Sequence, residues 1–170
     1  VHTGSRNLGI QVSEYYSKLF DNQEPFWDDY VNDLKMTQYY AERNRQKILF
    51  DICIGLNLTI LDIIESVHNY FDGLFVRKGA IDASKGKRVI IPMNMRDGVI
   101  LGTGLGNEEW NFSAPHGAGR ILSRKQAKTQ VKLEDFQKSM EGIYTTTCNQ
   151  NTIDGACFAY KPIQEILDVI

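Results

Sequence analysis

Ser113-Ala114-Pro115-His116-Gly117-Ala118-Gly119-Arg120-Ile121-Leu122-Ser123-Arg124 is the stretch on which the reading of this chain turns. A histidine is followed by two glycines with one alanine between them, then by a run in which Arg120, Arg124 and Lys128 recur every fourth residue. Small residues let the backbone approach a ligand closely, and free amides at a helix start attract anions. Arginines at i and i+4 share one helix face and can grip phosphate oxygens with the guanidinium fork. From Ser113 to Leu133 there are five Arg or Lys and no Asp or Glu, in a chain whose formal net charge is −2. The same pattern also suits a glycine turn capping a surface helix, because glycines punctuate loops of every kind.

Outward from that stretch, the texture is of helices first and strands later. Residues 12–20 read as a helix with an aromatic-rich face, residues 21–27 as an acidic, proline-containing loop, and residues 33–50 as a long helix carrying Met36, Tyr39, Tyr40 and Ile48. The apolar run at 48–64 contains Asp51, Asn57 and Asp62, so it predicts a buried helix pair and not a membrane span, which needs about 20 uninterrupted apolar residues. Short β-rich runs follow at Leu74-Phe75-Val76, Arg88-Val89-Ile90-Ile91 and Val99-Ile100-Leu101, punctuated by Lys85-Gly86-Lys87 and Asp97-Gly98. A helix over about 119–130 and another over 132–140 complete the series. Helices and strands in blocks predict an α+β fold and not a wound parallel sheet.

The totals set bounds. The chain has 170 residues, 42% of them apolar and 24% charged, which suits a soluble globular domain or part of one. Cys53, Cys148 and Cys157 show no paired spacing, which fits reduced thiols in a cytoplasmic protein better than a disulfide framework or a zinc knuckle. The chain opens on Val1 without a signal-peptide pattern, and is expected to be a portion of a longer protein. Acidic side chains gather early, at Asp21, Glu24, Asp28, Asp29 and Asp33, which leaves the basic groups free to share another face.

The other two histidines stand in marked contexts of their own. His2-Thr3-Gly4-Ser5-Arg6, His68-Asn69-Tyr70, Arg77-Lys78-Gly79-Ala80, Ile91-Pro92-Met93-Asn94-Met95, and His116 to Arg120 with Ser123-Arg124 follow one another in the order found in the RtcB family of RNA ligases. The chain resembles the later part of such an enzyme from end to end, Ala159-Tyr160-Lys161 included. It is therefore expected to be one partial RtcB-like catalytic domain over residues 1–170. Asn7 stands where the family often has glycine, Val99 where relatives commonly offer serine, and Asp154-Gly155-Ala156-Cys157 where an acidic residue and a proline are usual.

The resemblance implies a ligase, dependent on GTP and manganese, that joins RNA 3′-phosphate or 2′,3′-cyclic phosphate ends to 5′-hydroxyl ends in tRNA splicing or RNA repair. It implies that His116 attacks the α-phosphate of GTP to form a histidine–GMP adduct. Neutral imidazole is a competent nucleophile whose bond to phosphorus is labile enough to pass the group on. His2 and His68 resemble two of the histidines that hold a pair of Mn2+ ions. The remaining ligands, an aspartate, a cysteine and a further histidine, precede the first of these motifs in the family, so the 170 residues alone are expected to be inactive. His68, Asn69, the loop Pro92-Met93-Asn94-Met95 and the backbone of His116, Gly117, Ala118 and Gly119 resemble the nucleotide contacts. Arg6, Arg120 and Arg124 are the candidates for RNA or transferred phosphate. RNA, GTP and an activating protein of the archease type are the implied partners, with no membrane.

Plainer assignments stand beside these. The loop at 92–95 could be an ordinary turn between two strands, Arg77-Lys78-Gly79 a solvated basic strand end, and either metal candidate a structural histidine. A non-catalytic RNA- or nucleotide-binding relative, and a metal-dependent phosphohydrolase using His2 and His68, are the alternative functions.

Overall fold

The structure is a computed structural model that describes residues 1–5, 7–22, 25–71 and 73–170. It divides into two compact units, residues 1–63 and 64–170. The secondary structure is an α+β mix of helices and small antiparallel sheets, as the block pattern predicts.

The first unit is a helix pair, α1 (Asn7–Asp21) and α2 (Trp27–Gly55). Both are longer than the predicted spans. Asp28 and Asp29 lie in the first turn of α2, where negative charge meets the positive end of the helix dipole. Tyr16 is the buried residue of α1; its ring packs on Phe26 and Tyr30 at 5.6 and 5.2 Å, and its hydroxyl donates to Asp33 Oδ2 at 2.8 Å. Burial, together with the adjacent Asp33 carboxylate, pushes the Tyr16 phenol up to about 12.

The helix pair predicted at 48–64 does not form. Helix α2 stops at Gly55, and residues 58–67 have no regular structure. Asn57 adopts φ 51, the Asn57 amide donates to Ile54 O, and the Leu58 amide closes onto Cys53 O at 2.8 Å. This is the left-handed Schellman ending, usually made by glycine and sometimes by asparagine. Ile54 and Leu61 are exposed, at 78% and 93%.

The described residues of the second unit form three antiparallel ribbons. Strand β1 (Asn69–Phe71) pairs with β2 (Val76–Lys78), β3 (Ala80–Asp82) pairs with β6 (Ser113–Pro115), and β4 (Arg88–Pro92) pairs with β5 (Val99–Thr103). The strand expected at 74–76 begins at Val76, and β3 and β6 had no sequence forecast. On β4 the period-two alternation holds, with Val89 and Ile91 buried and Arg88 and Pro92 exposed. Val89 and Ile91 join Ile81, Ala83, Met93, Ala118 and Ile166 in one core cluster. A second cluster, Phe136, Met140, Ile153 and Ala156, lies under α4 (Leu133–Ser139).

The helix expected from Gly119 starts later, as α3 (Arg124–Gln130). Ser123 is its N-cap: its hydroxyl accepts from the Gln126 amide at 3.2 Å, and the Gln126 side chain accepts from the Ser123 amide at 2.9 Å. This capping box satisfies two donors that a helix start leaves open, and so fixes the boundary. Arg120 consequently lies outside the helix, in an antiparallel bridge with Tyr160, and shares no helix face with Arg124 and Lys128. A last short helix, α5 (Ile163–Leu167), buries Ile166.

Candidate functional site

The site is organised by residues 76–82, an extended segment that changes partner midway. Its first half, β2, pairs with the strand that follows His68; its second half, β3, pairs with the strand that leads into His116. Gly79 is the switch point, with φ +71. Its amide donates to His68 O at 2.7 Å, with Asn69 Oδ1 at 3.2 Å, and its carbonyl oxygen meets His116 Nδ1 in a short hydrogen bond. The two imidazoles thereby come together, with ring centroids 4.8 Å apart and planes inclined at 41°. A Cβ on residue 79 would lie 3.3 Å from His116 Cε1, a tight contact that the ring would have to yield to, and φ +71 is a conformation that side chains rarely adopt, so glycine suits the position on both counts.

That hydrogen bond fixes the chemistry of His116. A carbonyl can only accept, so Nδ1 carries the proton in the neutral ring and Nε2 carries the lone pair. The partner of one ring nitrogen decides what the other can do.

The loop at 92–95 is a hairpin turn between β4 and β5, as the plainer assignment has it. Asn94 is occupied by it: Oδ1 accepts from the Arg96 and Asp97 amides, both at 3.0 Å, and Nδ2 donates to Asp97 Oδ2 at 2.8 Å. Met93 is buried in the first core cluster and Met95 packs on the second. The turn nevertheless touches the glycine loop, because Pro92 O accepts from the Ala118 amide at 3.3 Å. A Cβ on Gly117 would stand 3.0 Å from the same oxygen. The small residues after His116 thus let two loops close on each other.

Arg120 is held by the protein itself. Nε donates to Leu122 O at 2.9 Å, Nη1 to Tyr160 Oη at 2.9 Å and Nη2 to Asp154 O at 2.7 Å, with the guanidinium carbon 4.8 Å from the Tyr160 ring centre. The Lys161 amide donates to Gly119 O at 3.0 Å, so the 154–161 segment ties down the far end of the glycine loop. Arg124 pairs with Asp154 at 2.8 Å while its side chain stays 79% exposed. Burial raises the Asp154 carboxyl, but the Arg124 hydrogen bond and the charges of Lys128 and Arg124 outweigh it and hold the group below the usual carboxylate range. Asp154 is thus an anchor for Arg124, and composition gave no sign of that pairing.

Arg77 is a correction. The expected solvated strand end is instead a guanidinium only 5% exposed, bonded to Tyr70 Oη, Ser113 Oγ and Asn111 O. Lys78, next to it, is exposed. Arg6 lies outside the described residues. His2 is exposed in the first unit, whereas His68 and His116 belong to the second. Among the described residues no group of three or more His, Cys, Asp or Glu side chains is gathered to hold a metal ion. A divalent transition ion takes four or more donors, or three with solvent. His2 and His68 alone do not meet that demand. No helix among the described residues is long and apolar enough to cross a membrane.

The histidine pair set at a strand switch point, closed by a glycine loop, belongs to a family recognisable from sequence. The model described as tRNA-splicing ligase RtcB matches residues 19–170, and the chain belongs to the RtcB family. It is 27% identical to the RNA-splicing ligase RtcB of Escherichia coli K12, with 98% of this chain and 50% of that protein covered. It is likewise 27% identical to the tRNA-splicing ligase RtcB of Aeropyrum pernix, covering 99% of this chain and 47% of that one. With the Pyrococcus abyssi tRNA-splicing ligase RtcB the identity is 26%, over 100% of this chain and 25% of the relative. The chain spans about half the length of the first two relatives.

Proposed function

We propose that this chain forms part of an RNA ligase in which His116 is the covalent nucleophile, acting in tRNA splicing or RNA repair. Family membership supports the reaction class. The observation that carries the residue assignment is the hydrogen bond between His116 Nδ1 and the Gly79 carbonyl, which puts the lone pair of the neutral ring on Nε2.

In the proposed reaction GTP is consumed as a substrate. His116 Nε2 attacks its α-phosphorus, a P–N bond forms, and pyrophosphate leaves. As the ring acquires positive charge, the Gly79 carbonyl holding Nδ1–H stabilises it, the part an orienting acceptor plays for a catalytic histidine. An oxygen of the RNA 3′-phosphate then displaces the imidazole from phosphorus, giving an RNA end activated with GMP. The 5′-hydroxyl attacks the 3′-phosphorus, loses its proton, and GMP departs as the strand is sealed; a 2′,3′-cyclic phosphate is first opened by water. Arg124, exposed and already charge-paired, is the guanidinium placed to exchange its carboxylate for a phosphate. Arg120 supports the loop through three of its N–H groups, which are engaged by the protein, and stays a candidate for RNA or transferred phosphate.

A manganese requirement of the whole protein is part of the proposal, with His2 and His68 as this chain's donors. When bound, the metal would neutralise charge on the phosphoryl group. The described residues do not complete such a site, and no step above runs through it. Cytoplasmic location and an archease-type activator belong to the same proposal.

The test is incubation of the full-length protein with α-labelled GTP and manganese. Acid-labile label is expected on the wild type and none on His116→Ala. A folded, metal-loaded wild type that takes no label would overturn the ligase and favour a binding relative.

A further inference from the structure

Two ribbons meet at Gly79, and glycine has no side chain with which to lock them. The Arg77 side chain spans the junction. Arg77 lies directly across β1–β2 from Tyr70 and donates to its hydroxyl at 3.2 Å. The same guanidinium reaches the other ribbon, donating from Nε to Ser113 Oγ at 3.0 Å and from Nη2 to Asn111 O at 3.1 Å. Ser113 Oγ itself donates to Asn111 O at 2.9 Å. The Phe75 and Tyr70 rings cover the guanidinium at 4.8 and 5.6 Å, and Asp82 Oδ1 stands 4.0 Å away. Asp82 is held in turn by Lys87 and Ser84, both at 2.6 Å.

The spacing along the chain gives this strap its meaning. Tyr70 is two residues after His68, Ser113 three before His116, and Arg77 two before Gly79. One buried cation therefore holds all three segments a short distance from where the histidines meet. A buried guanidinium is costly unless its donors are met, and a planar fork meets acceptors on two strands only when both are in register.

We infer that Arg77 is a positioning residue for His116: by locking the β1–β2 ribbon to β6 it keeps the Gly79 carbonyl on His116 Nδ1 and so holds Nε2 free. The inference rests on His116 as the nucleophile, but its first consequence, the ring tautomer, can be read without any turnover. Lysine keeps the charge of Arg77 and loses the fork, so Arg77→Lys should release the junction while leaving the core filled.

Ring-nitrogen NMR of histidine-labelled full-length protein is expected to show His116 as the Nδ1–H tautomer in the wild type and as a mixture of tautomers in Arg77→Lys. In the labelling reaction the same variant should lose about 10²-fold in rate constant, the scale on which small misplacements of reacting groups act, with KM for GTP unchanged. The double variant Tyr70→Phe with Ser113→Ala removes the two side-chain hydroxyls that accept from the guanidinium without touching the cation, and should shift the tautomer in the same direction. It decides the question if Arg77→Lys fails to fold. Folded variants that keep the wild-type tautomer would overturn the inference. A tautomer shift in a protein whose wild type takes no label would uphold the strap while refuting the ligase.

Discussion

At the scale of single residues, what a side chain does here is set by its partners more than by its type. Arg77, Arg120 and Arg124 all looked like phosphate ligands or solvated charge in the sequence. In the structure the first is buried, the second is engaged by Leu122, Tyr160 and Asp154, and the third remains on the surface. Nothing local distinguishes them, because the acceptors that take up Arg77 and Arg120 are as many as 36 and 40 positions away in sequence. Asp82 shows the same dependence in its titration. Burial raises its carboxyl, but hydrogen bonds from Lys87 and Ser84 outweigh this and hold it at about 2, against an ordinary 3.8. A depressed carboxyl contributes stability that is fully present above the ordinary value and is lost as pH falls through the folded one. The second unit should therefore lose about 1–2 kcal/mol between pH 5 and pH 2 through this group, after discounting for screening at half-exposed Lys87. Urea unfolding of wild type and Asp82→Asn across that range should show the variant already weaker at pH 5 and the difference closing at pH 2.

At the scale of elements, the ends matter most. The Ser123–Gln126 capping box moved the start of α3 past Arg120, and Asn57 closed α2 before the apolar run ended. Both signals were present in the sequence and were outweighed by hydrophobic runs. Strands β3 and β6 are three residues each, too short for a two-residue period to declare itself, and only their pairing defines them. Gly79 joins β2 to β3, and its replacement tests the junction. Gly79→Ala should cost about 1–2 kcal/mol from the left-handed backbone alone. It should also push His116 aside through the 3.3 Å contact, so that labelling with GTP falls further than the melting temperature implies. A labelling rate at the wild-type level in a folded Gly79→Ala protein would contradict the site geometry.

At the scale of the whole molecule, the chain is two units, with the irregular residues 58–67 at the boundary between them. Limited proteolysis with chymotrypsin should cut near Leu61 and at Tyr144, whose side chains are both 93% exposed in irregular chain, and the Leu61 cut should separate the two units. First cuts inside α2 or the ribbons would contradict that division. The sequence by itself determined the α+β class, the family and the order of its motifs, because these rest on residue identity and local spacing. It also marked His68 and His116 as the residues to watch. Only the tertiary structure decided that they meet, that a strand changes partner at Gly79 between them, that His116 presents Nε2, and that Arg77 is a buried strap. Those outcomes depend on hydrogen bonds between segments up to 37 residues apart, and the geometry of such a bond is a property of the fold and not of either stretch alone.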